Sequence, residues 1–233
     1  MIAAIVGADG AGKSTVAHAV CELLGHHAKV IDRWDIVGSP EYPTADFIGA
    51  DVRHVRARTA LMSPVSRLLF LLWTSVASVV DGRTEGHTDE RRDERWSGQG
   101  DGQWDGQGVE TPESVLLLDG YWMKHAASEI AYGLDQAWVE QVVAGLPGVD
   151  AVIYLQSDPE TAWDRMGDRA VPYECAMDLS CARPSFIGHQ RKIHEVLGRW
   201  AARPGWITID ARQPLDAVVD ATVRSIGGLR GEG

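Results

Sequence analysis

Residues 2–24 read IAAIVGADGAGKSTVAHAVCELL, and this stretch decides the fold. Ile2 to Val6 is a short, uninterrupted apolar run, as expected of a parallel strand covered on both faces. Gly7 to Ser14 (GADGAGKS) satisfies the spacing G-x-x-x-x-G-K-S. Its glycines permit a tight turn whose backbone N–H groups point inward at phosphate oxygens. A helix follows, with Val16, Ala17, Val20, Leu23 and Leu24 at helical spacing and Gly25 as a stop. Its N-terminus adds a positive dipole end to the loop. Lys13 is placed to reach the β- and γ-phosphates of a nucleotide, and the Ser14 hydroxyl to ligate Mg²⁺. The expected nucleotide-binding set is therefore Gly7, Ala8, Asp9, Gly10, Ala11, Gly12, Lys13, Ser14 and Thr15. A chance glycine-rich turn would lack the flanking strand and helix.

Outward from this unit, strands and helices alternate. Lys29 to Asp32 reads as a second strand, Asp46 to Ala60 and Pro64 to Val80 as helices, and Val115 to Leu118 as a buried strand ending at Asp119. A helix over Asp135–Ala144, a strand over Ala151–Leu155, and a helix begun by Ser157, Asp158 and Pro159 come next. Ser185–Ala202 is a helix, Trp206–Ile209 a last strand and Pro214–Ile226 a closing helix. This order implies one α/β domain over residues 1–233, with a mostly parallel five-stranded sheet between helix layers. Residues 82–108 differ from their surroundings. They hold seven glycines, many charges and two large apolar residues, Trp96 and Trp104. Such composition buries too little apolar surface to offset ordering entropy, so 82–112 reads as a disordered surface insertion, with a functional lid as the alternative.

Composition narrows the partners. A net charge of −11 and a pI near 5.1 argue against a general binder of nucleic acid or anionic membranes. They leave room for an anionic small molecule in a local basic pocket. Cys21, Cys175 and Cys181 match no zinc spacing, and an odd count argues against a disulfide framework. With no basic leader before the first strand, a cytoplasmic chain with reduced thiols is expected. Val65 to Val80 is too short and too interrupted by Ser and Thr to span a bilayer.

GADGAGKST, followed by LLLDGYW, SEIAYG and VIYLQSDPETAWDRMGDR, resembles the thymidylate kinase family of nucleoside monophosphate kinases. Asp119, Tyr121, Ser128, Ala131, Tyr132, Arg165, Arg169 and Phe186 fall in that family's order. The resemblance implies the P-loop NTPase fold, ATP as donor, Mg²⁺, acceptor-binding helices at about 33–80, a lid at about 170–185 and a possible homodimer. It also implies roles. Arg33 takes the acceptor's anionic group. Asp119 holds Mg²⁺ through water or orients the attacking oxygen. Arg165 and Arg169 stabilise the moving phosphoryl group, with Arg183 as a further lid arginine on the donor. Phe70, Trp73, Tyr121 and Tyr132 line the acceptor site. Asp9 faces the acceptor or stabilises the turn. Trp34, Trp73 and Trp122 are candidate stacking platforms, and His125, His189 and His194 are expected to be structural.

The chain also departs from the family. Gly120 stands where an arginine is usual, Gly133 where a glutamine is, and Phe70 is followed by Leu-Leu-Trp-Thr without the family's arginine. These losses predict an acceptor other than dTMP. Three readings follow: a kinase of nucleoside monophosphates, a kinase of a non-nucleotide small molecule or modified nucleotide, and a nucleotide-binding regulator without turnover. The third is weakened by the intact Lys13 and Ser14, and no Asn-Lys-x-Asp base motif of a GTPase is present.

Overall fold

The computed structural model of the chain describes residues 1–34, 52–96 and 115–231. Its strands are β1 (Ile2–Val6), β2 (Ala28–Ile31), β3 (Val115–Asp119), β4 (Ala151–Gln156) and β5 (Trp206–Asp210). They form one five-stranded sheet in the order β2-β3-β1-β4-β5, parallel throughout. The helices are α1 (Lys13–Leu24), α2 (Val52–Ala60), α3 (Pro64–Trp96), α4 (Trp122–Ala131), α5 (Gln136–Val143), α6 (Pro159–Met166), α7 (Arg183–Ala201) and α8 (Leu215–Gly231).

The pleat sorts each strand between two cores. Ala3 and Ile5 of β1 face a layer with Val16, Ala17 and Val20 of α1 and Val218, Val219 and Ile226 of α8. Ala4 and Val6 face the other side, where Leu68 and Leu72 of α3, Ala126 and Ala127 of α4, and Ile193, Leu197 and Trp200 of α7 pack. β1 is buried at every position, which explains why its sequence is apolar without alternation. Asp158 caps α6 as expected, accepting from Thr161 N at 2.7 Å ahead of Pro159.

Two elements differ from the sequence reading. The helix expected to end at Val80 continues to Trp96, so residues 82–96 are helical rather than irregular. That stretch has no proline and is rich in Glu and Arg, both good helix formers, which outweigh its low hydrophobicity. The rest of the expected insertion, 97–112, and the expected helix start at 46–51 lie outside the described residues. The second difference is α4, which the sequence reading did not recognise as a helix. Met123 through Glu129 are all buried, Lys124, His125, Ser128 and Glu129 among them. This helix is buried on every face with polar residues inside, so its place in the core does not show in hydrophobicity alone.

Candidate active site

The sheet delivers three chain segments to one edge. β1 ends in the glycine-rich loop, β3 lies beside it with Asp119 level with Ile5, and β2 lies beside β3 with Ile31 level with Leu118. Chain reversals at the carboxyl ends of parallel strands are where open α/β sheets bind ligands.

The loop is held rigidly. A Cβ on Gly10, at φ +79, would lie 2.7 Å from the Ala162 carbonyl oxygen of α6, so only glycine fits there. Gly12 caps α1 in the left-handed conformation, and Lys13 opens that helix. Lys13 Nζ donates to Ala8 O at 2.9 Å, folding its ammonium over the loop. Burial pulls that ammonium below the usual lysine range, and Asp9 opposes the effect. Ser14 and Thr15 are exposed at the helix start.

Asp9 is buried at the centre of the loop's contacts. Its Oδ1 pairs with Lys124 Nζ at 2.9 Å, its Oδ2 accepts from Gln190 Nε2 at 3.1 Å, and its backbone N–H donates to Gln190 Oε1 at 3.1 Å. Burial alone would raise its carboxyl, but Lys124 and Lys13 hold it below the ordinary value. Of the two roles open to Asp9, bracing the turn is visible in these bonds.

On one side of the loop a cleft of about 490 Å³ is lined by Gly10, Gly12, Ser14, Thr15, Arg165 and Arg169, with Gln213 and Val218 opposite. That size suits a nucleotide-type ligand. Arg165 donates to Ala211 O at 2.7 Å and so clamps the turn between β5 and α8. Arg169 bonds the carbonyls of Met166 and Arg165 at the end of α6. Both arginines therefore sit on this cleft, while Arg183 is exposed at the first position of α7 and does not line it.

On the other side lies a polar cluster. Arg33 Nη1 bonds His125 Nε2 of α4, and its guanidinium lies 4.9 Å from the centre of the Trp34 ring. Arg56 of α2 lies 5.6 Å from the same ring. Arginine has no acceptor, so His125 Nε2 accepts and its proton is on Nδ1. Burial, then the charge of Arg33, drives the imidazole well below its usual pKa and keeps it neutral. Arg33 Nε and His125 Nδ1 are both buried without a hydrogen-bond partner among the described residues. Asp119 is half-buried at the end of β3, and its charge acts on both Lys13 and Arg33.

A third layer backs this cluster. Arg67 and Glu129 form a buried bidentate ion pair at 2.6 and 2.8 Å. The Arg67 guanidinium lies about 5 Å from the rings of Tyr132 and Tyr173. Tyr173 donates to Glu129 Oε1 at 2.8 Å, and Tyr132 donates to Tyr173 O at 2.5 Å. These bonds tie the segment expected as a lid onto α4. Within that segment Ala176, Met177 and Cys181 all adopt positive φ without being glycine. Glu174 there is pushed up to about 7, by burial and then by the charge of Asp9.

The structure thus brings together Asp9, Lys13, Arg33 and Asp119, and places Tyr132 one layer behind. It does not bring Tyr121 to them: that side chain is buried in the core and its hydroxyl donates to Pro147 O at 2.7 Å. Phe70 and Trp73 of α3 are half-buried with ring centres 5.9 Å apart, Trp73 packing on the core. Trp122 likewise packs on Trp200 in the core. Sequence reasoning overlooked Lys124, Tyr173, Glu174 and Gln190, and took His125 for a structural residue. Two signals were available: adjacent basic residues just after the Asp119 strand end, and an isolated Arg67 inside the apolar stretch of residues 64–80.

No protein-family model and no curated protein sequence matches the chain. Its structure is similar to deoxyadenosine kinase from M. mycoides. With the products dCMP and a flexible dCDP bound, that enzyme superposes at TM-score 0.58 and 13% identity, over 98% of this chain and 100% of that one. Its dATP complex gives 0.54 and 14%, over 97% of this chain and 100% of that one. Fold and loop together define the class: a P-loop NTPase-like kinase fold, with an all-parallel five-stranded sheet between helices. The solved structures it resembles here are those of deoxyadenosine kinase, with dCMP and dCDP, dATP or dCTP bound.

Proposed function

We propose that the protein transfers the γ-phosphoryl group of ATP to a small anionic acceptor of the nucleoside monophosphate type. The observation that carries this reading is the convergence of Lys13 with Arg33, Lys124 and Asp119 at the ends of β1, β2 and β3. Phosphoryl transfer needs positioning and positive charge more than covalent chemistry. The loop N–H groups and Lys13 hold the donor phosphates, and Arg165 and Arg169 border the donor cleft. The Ser14 hydroxyl and the Asp119 carboxylate are hard oxygen donors of the kind Mg²⁺ takes beside nucleotide phosphates. A bound Mg²⁺ would neutralise charge on the donor phosphates. In this reading Asp119, at the end of β3, orients the acceptor oxygen. The resemblance to thymidylate kinases supports a monophosphate as acceptor, while Gly120 and Gly133 speak against dTMP itself.

A second reading is favoured by the solved neighbours. They are deoxyadenosine kinases, and by analogy the acceptor is then an uncharged deoxynucleoside.

The test is ADP release over a panel of nucleosides, nucleoside monophosphates and non-nucleotide phosphates. At least one acceptor is expected to be turned over, and Lys13→Ala to reduce its turnover by about a hundredfold or more, as for loss of a donor that stabilises transition-state charge. Unchanged turnover in a folded Lys13→Ala protein would remove the assignment.

A further inference from the structure

Two of the three cysteines, Cys175 and Cys181, stand close together within the 170–182 segment. Cys175 is buried with Ala162, Phe186 and Ile187, and Cys181 packs half-buried against the same cluster. There the Cys181 thiol is a hydrogen-bonding neighbour of the Cys175 thiol. The chain is folded back to bring them together. Asp178 N–H donates to Cys175 O at 3.0 Å, and Cys181 N–H donates to Asp178 O at 3.0 Å, so two tight turns follow one another. Ala176, Met177 and Cys181 hold positive φ, which residues other than glycine seldom adopt unless their surroundings impose it. Cys21 stands apart in α1, in a different core cluster, with its Sγ donating to Ala28 O at 3.2 Å.

The pair joins two halves of the segment that are anchored separately. On one side Gln190 Nε2 of α7 donates to Glu174 O at 3.0 Å, and Tyr173 donates to Glu129 of α4 at 2.8 Å. On the other the Asp178 carboxylate accepts from Ser180 Oγ at 2.7 Å and from Ser185 Oγ of α7 at 2.6 Å. Both halves lie next to the glycine-rich loop. The same Gln190 holds Asp9, and Ala162, packed with Cys175, lies against Gly10.

We propose that Cys175 and Cys181 are a thiol-modification site, at which a disulfide between them locks the 170–182 segment against α6 and α7. Thiols already in contact can bond with little backbone movement. The oxidant is a small-molecule disulfide such as glutathione disulfide. Cys181, the more accessible of the two, attacks one of its sulfurs as the thiolate, breaking that S–S bond and releasing one glutathione thiolate. Cys175 then gives up its proton and attacks the Cys181 sulfur, which forms the protein disulfide and releases the second glutathione thiolate. Two electrons pass from the protein to the oxidant, and its two thiolates take up the two protons. An effect on turnover rests on the kinase reading, in which a segment beside the donor site opens for ligand exchange.

The experiment incubates the full chain, as wild type, Cys175→Ala and Cys181→Ser, with excess glutathione disulfide and follows intact mass after acid quenching. The wild type is expected to lose two hydrogens and to keep one free thiol, Cys21, with peptide mapping placing the bond at 175–181. Cys175→Ala should stop at a glutathione adduct on Cys181, and Cys181→Ser should keep Cys175 free. Amide exchange over 170–182 should slow by about tenfold or more in the oxidised wild type, because a cross-link removes open conformations, and dithiothreitol should reverse the change. A wild type that stays reduced, that stops at the adduct, that bonds through Cys21, or that forms the disulfide with unchanged exchange overturns the proposal. Where an acceptor is turned over, oxidation should lower kcat of the wild type by about threefold or more and leave that of Cys181→Ser unchanged. An equal kcat before and after oxidation overturns the lock as a control of turnover. If no acceptor releases ADP, the kinase reading fails, and the bond and the exchange still decide the proposal.

Discussion

Lys124 Nζ lies 2.9 Å from Asp9 Oδ1, joining the first turn of α4 to the middle of the glycine-rich loop, and both residues are buried. One carboxylate thereby sets the loop against α4 and, through Gln190, against α7. Asp9→Asn leaves the Lys124 ammonium buried without its counter-charge, and breaking a buried pair from one side costs about 3–5 kcal/mol. The double variant Asp9→Asn/Lys124→Met removes both charges and is expected to recover at least about 1 kcal/mol of that loss. Urea denaturation of the two single variants and the double variant checks this, and simple additivity would show that the pair is not coupled.

Gly10→Ala is expected to destabilise the loop and to weaken ATP binding together. The new methyl would meet the Ala162 carbonyl at 2.7 Å, and the backbone there has φ +79. The left-handed conformation alone costs a non-glycine residue about 1–2 kcal/mol. Melting temperature and nucleotide affinity measured side by side give the result. A variant with wild-type values for both would show that α6 yields easily.

The Arg67–Glu129 pair holds the residue 170–182 segment through Tyr173, whose hydroxyl donates to Glu129 at 2.8 Å. Tyr173→Phe removes that bond at a cost of about 1 kcal/mol. The effect is expected to concentrate locally, as faster amide hydrogen exchange and proteolysis within this segment, with little change in the central strands. Uniform loss of protection across the sheet would contradict it.

Glu174 gives stability a pH dependence of definite sign. Its carboxyl titrates near 7 in the fold against an ordinary value of 4.5, because burial and Asp9 disfavour its charge. Between those values the folded state holds a proton that the unfolded chain has released, so this group's contribution falls as pH rises from about 4.5 to 7. Glu174→Gln should flatten that slope and be more stable than wild type above pH 7. Unfolding free energies from pH 4.5 to 8 check it. A variant whose stability falls as steeply as that of the wild type would place the titration elsewhere.

Local features were legible in the chain. The strand, loop and helix of residues 2–24 needed no partner to be read, because a phosphate grip is built from consecutive N–H groups and one following lysine. Asp158 and Pro159 marked the start of α6 because a cap acts within three residues. The end of α3 was misjudged, since low hydrophobicity was weighed above the helix preference of Glu and Arg. α4 escaped notice because its interior is polar, with Lys124, His125 and Glu129 each stabilised by a partner far away in sequence.

By itself the sequence determined that β1 runs into the glycine-rich loop GADGAGKS, that parallel strands alternate with helices, and that Asp119 ends a strand. Only the tertiary structure decided what stands opposite them. Arg33 meets His125 from 92 positions away, and Asp9 meets Gln190 from 181. Those meetings follow from the strand order, which sets β3 between β1 and β2. They also follow from burial, which makes an unpaired charge costly and so brings Lys124 to Asp9 and Arg67 to Glu129, partners that no local pattern names.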